Sequence, residues 1–320
     1  MKIFLKNTFG KHSLPVVEQT NPAHSLTAGR AHGFLPQRLS FGKIVAWLLL
    51  IGMSFLFVVP FLWMISTALK DPRDVGDGNW IPQEIKWNNF VDAFSFGDWG
   101  TWATNSLVIS LVAVVGTVLS TSLVAYSFAR LRWPGRDLVF SLVLATMMLP
   151  GIVTMIPSFI LFSKLPAFGF QDSQSWVNTF LPLTVPAFTG NAFYIFLTRQ
   201  FMRGIPMELS EAARIDGASE LRIWARIVMP LTKPALAAVA IFAFQGSWED
   251  FMGPLLYLQS EDKYTLQLAL RQFENASGGL PNWAHMMAAS LVVMLPVIII
   301  FLLFQRFFIE GVTLTGMGGR

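Results

Sequence analysis

Ile205-Pro206-Met207-Glu208-Leu209-Ser210-Glu211-Ala212-Ala213-Arg214-Ile215-Asp216-Gly217-Ala218-Ser219-Glu220 is a charged, helix-favouring stretch set between two long apolar runs. Pro206 suits the first turn of a helix, where its missing N–H removes no intrahelical bond. Glu208 and Glu211 then fall near the N-terminal, positive end of that helix. Leu209, Ala212, Ala213 and Asp216 recur at i, i+3, i+4 and i+7, so they share one face, on which two alanines permit close approach of another surface. Gly217 is a natural left-handed stop. Ser219 is placed to cap a second helix with Glu220 in its first turn. That helix carries Leu221, Ile223, Trp224, Ile227 and Val228 with Arg222 and Arg226 between them, and Pro230 and Pro234 mark the return to apolar sequence. The expectation is a helix–turn–helix at 201–232 lying beneath a membrane with its small-residue face exposed. Spacing alone leaves open a plain amphipathic pair resting on lipid headgroups.

A membrane is implied by the rest of the chain. Of its 320 residues, 53% are hydrophobic and only 13% charged, against about 25% charged in soluble domains. Apolar runs at 44–69, 106–128, 138–161, 176–197, 235–258 and 284–308 are each long enough to cross about 30 Å of hydrocarbon at 1.5 Å per residue. Several contain or border a proline (Pro60, Pro150, Pro157, Pro182, Pro186, Pro296), tolerated where neighbouring helices satisfy the freed carbonyls. The expected fold is therefore an all-α membrane protein with six transmembrane helices at 43–309, between a flexible tail at 1–42 and a short tail at 310–320. The first run is too long for a signal-peptide core and lacks a small-residue cleavage site.

Orientation follows from the basic residues. With the N-terminus inside, Lys2, Lys6, Lys11, Arg30, Arg38, Lys43, Arg130, Arg132, Arg136 and the arginines around 199–226 all lie inside, as do Arg306 and Arg320. The loop at 70–104 instead carries Asp71, Asp74, Asp77, Glu84, Asp92 and Asp98. Both termini are thus expected to be cytoplasmic, and the formal charge of +4 is a topology signal with no bearing on nucleic acid. Trp80, Trp87, Trp99, Trp102, Trp133, Trp176 and Trp283 fall near the predicted boundaries, as interfacial aromatic belts do. Arg130, Arg132 and Arg136 read first as topology anchors.

No catalytic constellation emerges. Cysteine is absent, and the four histidines (His12, His24, His32, His285) have no second ligand at metal-site spacing. A phosphate-cradling GxxxxGK[ST] loop is missing, so ATP and Mg²⁺, if used, belong to another chain.

Glu211-Ala212-Ala213, Asp216-Gly217-Ala218 and Ile227-x-Met229-Pro230 together resemble the EAA loop in membrane subunits of ATP-binding-cassette importers. The likeness runs from about Trp47 to the C-terminus and is closest to the second permease of maltose-type carbohydrate systems. Finer matches are Asn105-Ser106-Leu107, Ala125-Tyr126-Ser127-Phe128-Ala129-Arg130 with Gly135-Arg136, Ser247-Trp248-x-Asp250-Phe251, Trp283 through Ala289, and Gln305-Arg306-Phe307-Phe308. The resemblance implies type I importer permease architecture in a bacterial inner membrane. It implies as partners a second similar permease, two ATPase subunits and an extracytoplasmic sugar-binding protein, beside the lipid bilayer. It also implies that Glu208, Glu211, Ala212, Ala213, Asp216 and Gly217 dock in a cleft of the ATPase. By the same likeness the loop at 272–281 reaches into the binding protein, and the glycine-rich end at 311–320 inserts between the ATPase subunits.

Glu249 and Asp250, with Gln245 and Trp248 beside them, lie inside the fifth apolar run. Carboxylates at that depth should face a cavity or the bundle interior, so these four residues are expected to line the translocation route or its gate; an interhelical packing role is the alternative. The family commonly has Asn where this chain has Glu249. A secondary carrier using Glu249 and Asp250 as proton or sodium ligands would leave the Glu211–Gly217 motif unexplained. An importer of a non-sugar solute differs only at the level of family likeness.

Overall fold

The computed structural model describes residues 41–95, 97–276 and 282–316. The N-terminal tail and most of the loop at 272–281 lie outside them, as do residues 317–320 and the side chains from 306 onward. Among the described residues there is no β-strand; Pro166 and Ser175 form one isolated bridge. Two compact units divide the chain, Met1–Phe55 and Leu56–Arg320. The described part of the first is the opening half of α1 (Phe41–Ala68), exposed along its length as lipid-facing sequence should be.

The remaining helices, in order, are α2 (Asn88–Phe94), α3 (Trp99–Arg130), α4 (Arg136–Ala145), α5 (Gly151–Lys164), α6 (Leu181–Thr184) and α7 (Ala192–Arg203). After them come α8 (Glu208–Ile215), α9 (Glu220–Ile223), α10 (Met229–Leu231), α11 (Lys233–Trp248), α12 (Met252–Tyr257), α13 (Leu266–Ala276) and α14 (Trp283–Gly316). Among the described residues four segments are long and apolar enough to span a membrane: Phe41–Ala68, Trp99–Arg130, Leu181–Arg203 and Trp283–Gln305. Two bent pairs raise the number to as many as six: Arg136–Met148 with Gly151–Lys164, turned by 99°, and Glu220–Leu231 with Lys233–Trp248, turned by 81°.

The breaks have local causes. Pro150 disfavours helical backbone at Leu149, whose ψ is 118°, so the run expected as one helix over 138–161 stops and restarts. The run at 176–197 is interrupted by a tight turn over Val185–Thr189 and by Gly190 at φ +91°, after which the Asn191 side chain accepts from Phe193 and Tyr194 N–H to start α7. The run at 235–258 ends its long helix at Trp248, which moves Glu249 and Asp250 out of a helix interior and into a break.

The central element of the second unit is α3, which packs against α11, α7 and the 185–189 turn. It starts at Trp99, seven residues earlier than 106, because Asp98 caps it: Oδ1 accepts from Thr101 N–H at 3.1 Å and Oδ2 from the Thr101 hydroxyl at 2.6 Å. Those bonds hold the Asp98 carboxyl below the usual carboxylate range. A methyl added to Gly116 would lie 2.6 Å from the Phe188 ring, so only glycine allows this approach of α3 to the turn. Trp99 and Trp102, expected in an interfacial belt, are instead buried in a core with Ala68, Ala93, Phe244, Trp248, Ala269, Ala288 and Val293. Trp102, 1% exposed, donates to the Glu261 carbonyl at 2.9 Å. Asn105 bridges the carbonyls of Asp262 and Tyr264, and Ser106 Oγ accepts from Leu266 N–H at 2.8 Å, fixing the start of α13.

Candidate coupling site

The polar insert folds as two short helical segments, α8 and the α9–α10 run, joined by a tight turn. Pro206 lies outside α8: the helix begins at Glu208, and Met207 is its N-cap without a side-chain bond. Glu208 and Glu211 occupy the first turn, where the helix dipole favours them. At the other end Ala218 N–H donates to the Ala213 carbonyl at 2.9 Å and Gly217 N–H to the Arg214 carbonyl at 3.0 Å. These two bonds, with Gly217 at φ +78°, make a Schellman ending, and Ala213 and Ala218 pack in the same cluster beneath it. Ser219 is the N-cap of α9 by backbone conformation, yet its side chain makes no capping bond.

Beyond Ile223 the chain makes one wide π turn over Trp224–Val228 before α10. Pro230 has no N–H for the carbonyl one turn earlier, so the regular ladder is interrupted there. Ile223 and Val228 are fully buried, with Met202, Ala125 and Tyr126, in a small core that roots the insert on the ends of α3 and α7.

Two residues of α3, four apart and so on one face, grip the insert at its entry and exit. Arg130, 3% exposed, donates Nη2–H to the Ile205 carbonyl at 2.8 Å, and Nη1 reaches the Pro206 carbonyl at 3.4 Å and the Met207 sulfur at 3.3 Å. Tyr126 donates its hydroxyl to Glu220 Oε2 at 2.5 Å. Arg214 closes the motif on itself, donating Nε–H to Glu220 Oε1 at 2.6 Å and Nη2–H to Oε2 at 3.3 Å. The Glu220 bond raises the Arg214 guanidinium above its ordinary value. Arg130, expected as a topology anchor, is in the structure a buried clamp on the insert. Its signal in the sequence is the i, i+4 pairing with Tyr126 opposite a charged segment.

The expected small-residue face is corrected in one respect: Ala213 is turned into the core with Ser210, and Ala212 alone of the two alanines is exposed. What α8 and the turn present outward is Glu208, Leu209, Glu211, Ala212, Ile215 and Asp216, joined by Leu221 of α9. Ile215 is 87% exposed, a large apolar side chain with acidic neighbours and no cover.

The four residues expected along a translocation route do not converge. Trp248 is buried, stacks on Phe244 at 5.4 Å and donates Nε1–H to the Val293 carbonyl at 3.0 Å, which makes it a packing bond to α14. Gln245 and Glu249 are exposed on another face of α11 and meet each other, Nε2 donating to Oε1 at 3.2 Å. Asp250 is half-buried and accepts from Gly253 N–H at 3.1 Å at the start of α12. A cavity of about 450 Å³ instead lies where α5, α6 and α12 meet, lined among others by Thr154, Ser158, Phe162, Pro182 and Tyr257. Among the described residues no group of His, Asp and Glu could hold a metal ion. His285 meets the Asn282 side chain at 2.8 Å.

A family model described as "Binding-protein-dependent transport system inner membrane component" matches residues 121–313. The arabinooligosaccharides transport system permease protein of Halalkalibacterium halodurans is 35% identical over 284 residues, covering 86% of this chain and 98% of that one. The galactooligosaccharides transport system permease protein of Bacillus subtilis is 31% identical over 281 residues, covering 86% and 95%. Among solved structures, a bacterial ABC transporter involved in the import of the acidic polysaccharide alginate superposes with a TM-score of 0.71 at 22% identity, covering 86% of this chain and 99% of that one. At that identity the likeness is one of fold.

Proposed function

The chain belongs to the family of binding-protein-dependent transport system inner membrane components, and from that membership we propose that it is a permease subunit of an importer for a sugar or oligosaccharide. It forms half of a translocation pathway beside a second permease, with six spans in a bacterial inner membrane: the Arg136–Met148 and Gly151–Lys164 pair crosses as one span, the fifth span starts with Lys233–Trp248 after the insert, and both termini are cytoplasmic. Two separate ATPase subunits bind and hydrolyse ATP with Mg²⁺, and an extracytoplasmic binding protein delivers the sugar. The relatives named for arabino- and galacto-oligosaccharides support the substrate class. Family membership leaves an ion-coupled carrier without support.

The observation that carries the coupling role is the asymmetry of the 201–232 insert. Its inner face is braced by Arg130 and Tyr126, whereas its outer face exposes Leu209, Ile215 and Leu221 among Glu208, Glu211 and Asp216. A rigid element with an uncovered apolar and acidic surface is suited to sit in a groove and pass on a rigid-body motion. The chain has no cysteine, so Ile215→Cys gives a single reporter thiol. In a transporter reconstituted with its ATPase, that thiol should cross-link to the ATPase and change reactivity on ATP binding. Cross-linking only from sites away from α8 would remove the coupling role.

A further inference from the structure

Five arginines line a single cavity of about 650 Å³ beside the 201–232 insert, Arg130 with its guanidinium already held by that insert. Arg130 ends α3, Arg132 lies in the following connection, Arg136 opens α4, and Arg199 and Arg203 come from the last turns of α7; Asp137 is the one carboxylate in the lining. That carboxylate is already shared. Arg136 Nε lies 3.1 Å from Oδ1 and Nη2 3.4 Å from Oδ2, with Arg199 Nη2 3.9 Å from Oδ1. Arg199 is otherwise held by the Phe128 carbonyl and by the Phe140 ring, 3.9 Å beneath its Cζ. Arg132 and Arg203 make no hydrogen bond or ion pair among the described residues, although both line the space.

Such a concentration of like charge opposes folding unless an anion compensates it. Two further features add to the positive potential. Arg136 occupies the first turn of α4, where a cation is disfavoured by the helix dipole, and α4 begins at Gly135 without any side-chain cap. Apolar residues of α4 one turn further on, Leu138, Val139 and Leu142, are exposed. The cavity therefore opens where a membrane-facing apolar helix meets a cluster of arginines.

We infer that this cavity is a binding site for a phosphate-centred anion, and that its occupant is the headgroup of an anionic phospholipid whose acyl chains lie along α4. Arginine forks match phosphate oxygens, and basic pockets between transmembrane helices hold such headgroups. The inference rests on the membrane placement of α3, α4 and α7 and is independent of any contact between α8 and an ATPase.

The test uses the purified full chain in detergent, titrated with phosphatidylglycerol, with phosphatidylcholine and with inorganic phosphate, and followed by native mass spectrometry. Carbonate extraction of the source membranes reports integration separately. Phosphatidylglycerol should be retained selectively, and the Arg132→Gln/Arg203→Gln double variant, which disturbs no internal bond, should bind it about thirtyfold more weakly, about fivefold per cation removed. Equal retention of the two lipids, or unchanged retention in the double variant, would overturn the site. Displacement of phosphatidylglycerol by millimolar inorganic phosphate would overturn the lipid as its occupant in favour of a soluble anion. A chain extracted by carbonate would instead contradict the membrane reading on which the site depends.

Discussion

Tyr126 and Glu220 are the two ends of a bond that no apolar pattern reveals, and each can be altered by one atom. Tyr126→Phe removes a hydroxyl from a buried ring whose partner is charged, which costs about 1.5 kcal/mol. Tyr126→Phe and Glu220→Gln alter the two partners of one bond, so their effects should not be additive. A double-mutant cycle on thermal unfolding in detergent is expected to return a coupling of about 1 kcal/mol, and additivity would mean that the bond contributes nothing. Gly217 offers a different kind of test. Nothing lies within 4 Å of an added Cβ there, so only backbone conformation at φ +78° matters. Gly217→Val should destabilise the turn by about 1–2 kcal/mol, whereas Gly217→Asn, a residue that tolerates this region, should be much milder. Hydrogen exchange of the amides at 212–223 distinguishes these outcomes; equal exchange in the two variants would show that the Schellman ending does not control the turn.

At the scale of elements, Trp248 ties α11 to α14, and its role separates packing from transport. Trp248→Ala removes a buried indole and should cost about 3–5 kcal/mol, while Trp248→Phe keeps the stack on Phe244 and loses mainly the bond to the Val293 carbonyl. If Trp248 only packs, uptake normalised to folded protein stays near the parent value in Trp248→Phe; a large specific loss would return it to the pathway. The segment after α1 carries a titratable clamp. Buried Lys70 donates to Asp77 at 2.8 Å and to the Asn79 carbonyl, and bonds from Lys70 and Asn79 hold the Asp77 carboxyl at about 2. A carboxylate whose folded pKa is depressed contributes stability that is present above its unfolded value, about 3.9. That contribution is lost as pH falls from there through about 2. Proteolytic protection of residues 70–86 should weaken over that acid window in the parent and weaken less in Asp77→Asn, where the carboxylates of Glu84 and Asp71 remain. The features of these elements that the sequence does not display have a common cause. The apolar runs marked where the four long apolar helices and the two bent pairs lie, because an apolar helix needs only composition and length. They did not mark where each helix stops, because Pro150, Gly190 and the Glu249–Asp250 break act through local backbone geometry and neighbouring contacts. Asp98 and Asn105 were visible as residues but not as a cap and a bridge, since their partners Glu261 to Leu266 are distant in sequence. The 201–232 insert was legible down to the Gly217 stop, yet the inward turn of Ala213 and the clamp by Arg130 depend on how α3 packs against it.

At the scale of the whole molecule, the proposed work is transmission of motion from a surface helix to the spans, and that places a demand on Arg130. A docked insert can move the spans only if it does not slip on its own root. Arg130 prevents slippage by reaching the Ile205 and Pro206 carbonyls and the Met207 sulfur with one planar fork. Lysine keeps the charge but presents a single mobile ammonium and cannot reproduce the fork. The outer face of α8 is untouched by this change, so Arg130→Lys should recruit the ATPase normally and still lose mechanical fidelity. In proteoliposomes the expected result is ATP hydrolysis near the parent rate with about tenfold less sugar moved per ATP, equivalent to about 1.4 kcal/mol of lost coupling. Thermal unfolding of the same preparation reports whether the variant is folded, and Glu211→Arg supplies the opposite phenotype, because it reverses a charge on the outer face and should weaken ATPase recruitment while leaving the clamp intact. If Arg130→Lys moves as much sugar per ATP as the parent, the insert is not driven through its root on α3, and the motion must enter the spans through α10 and α11 instead.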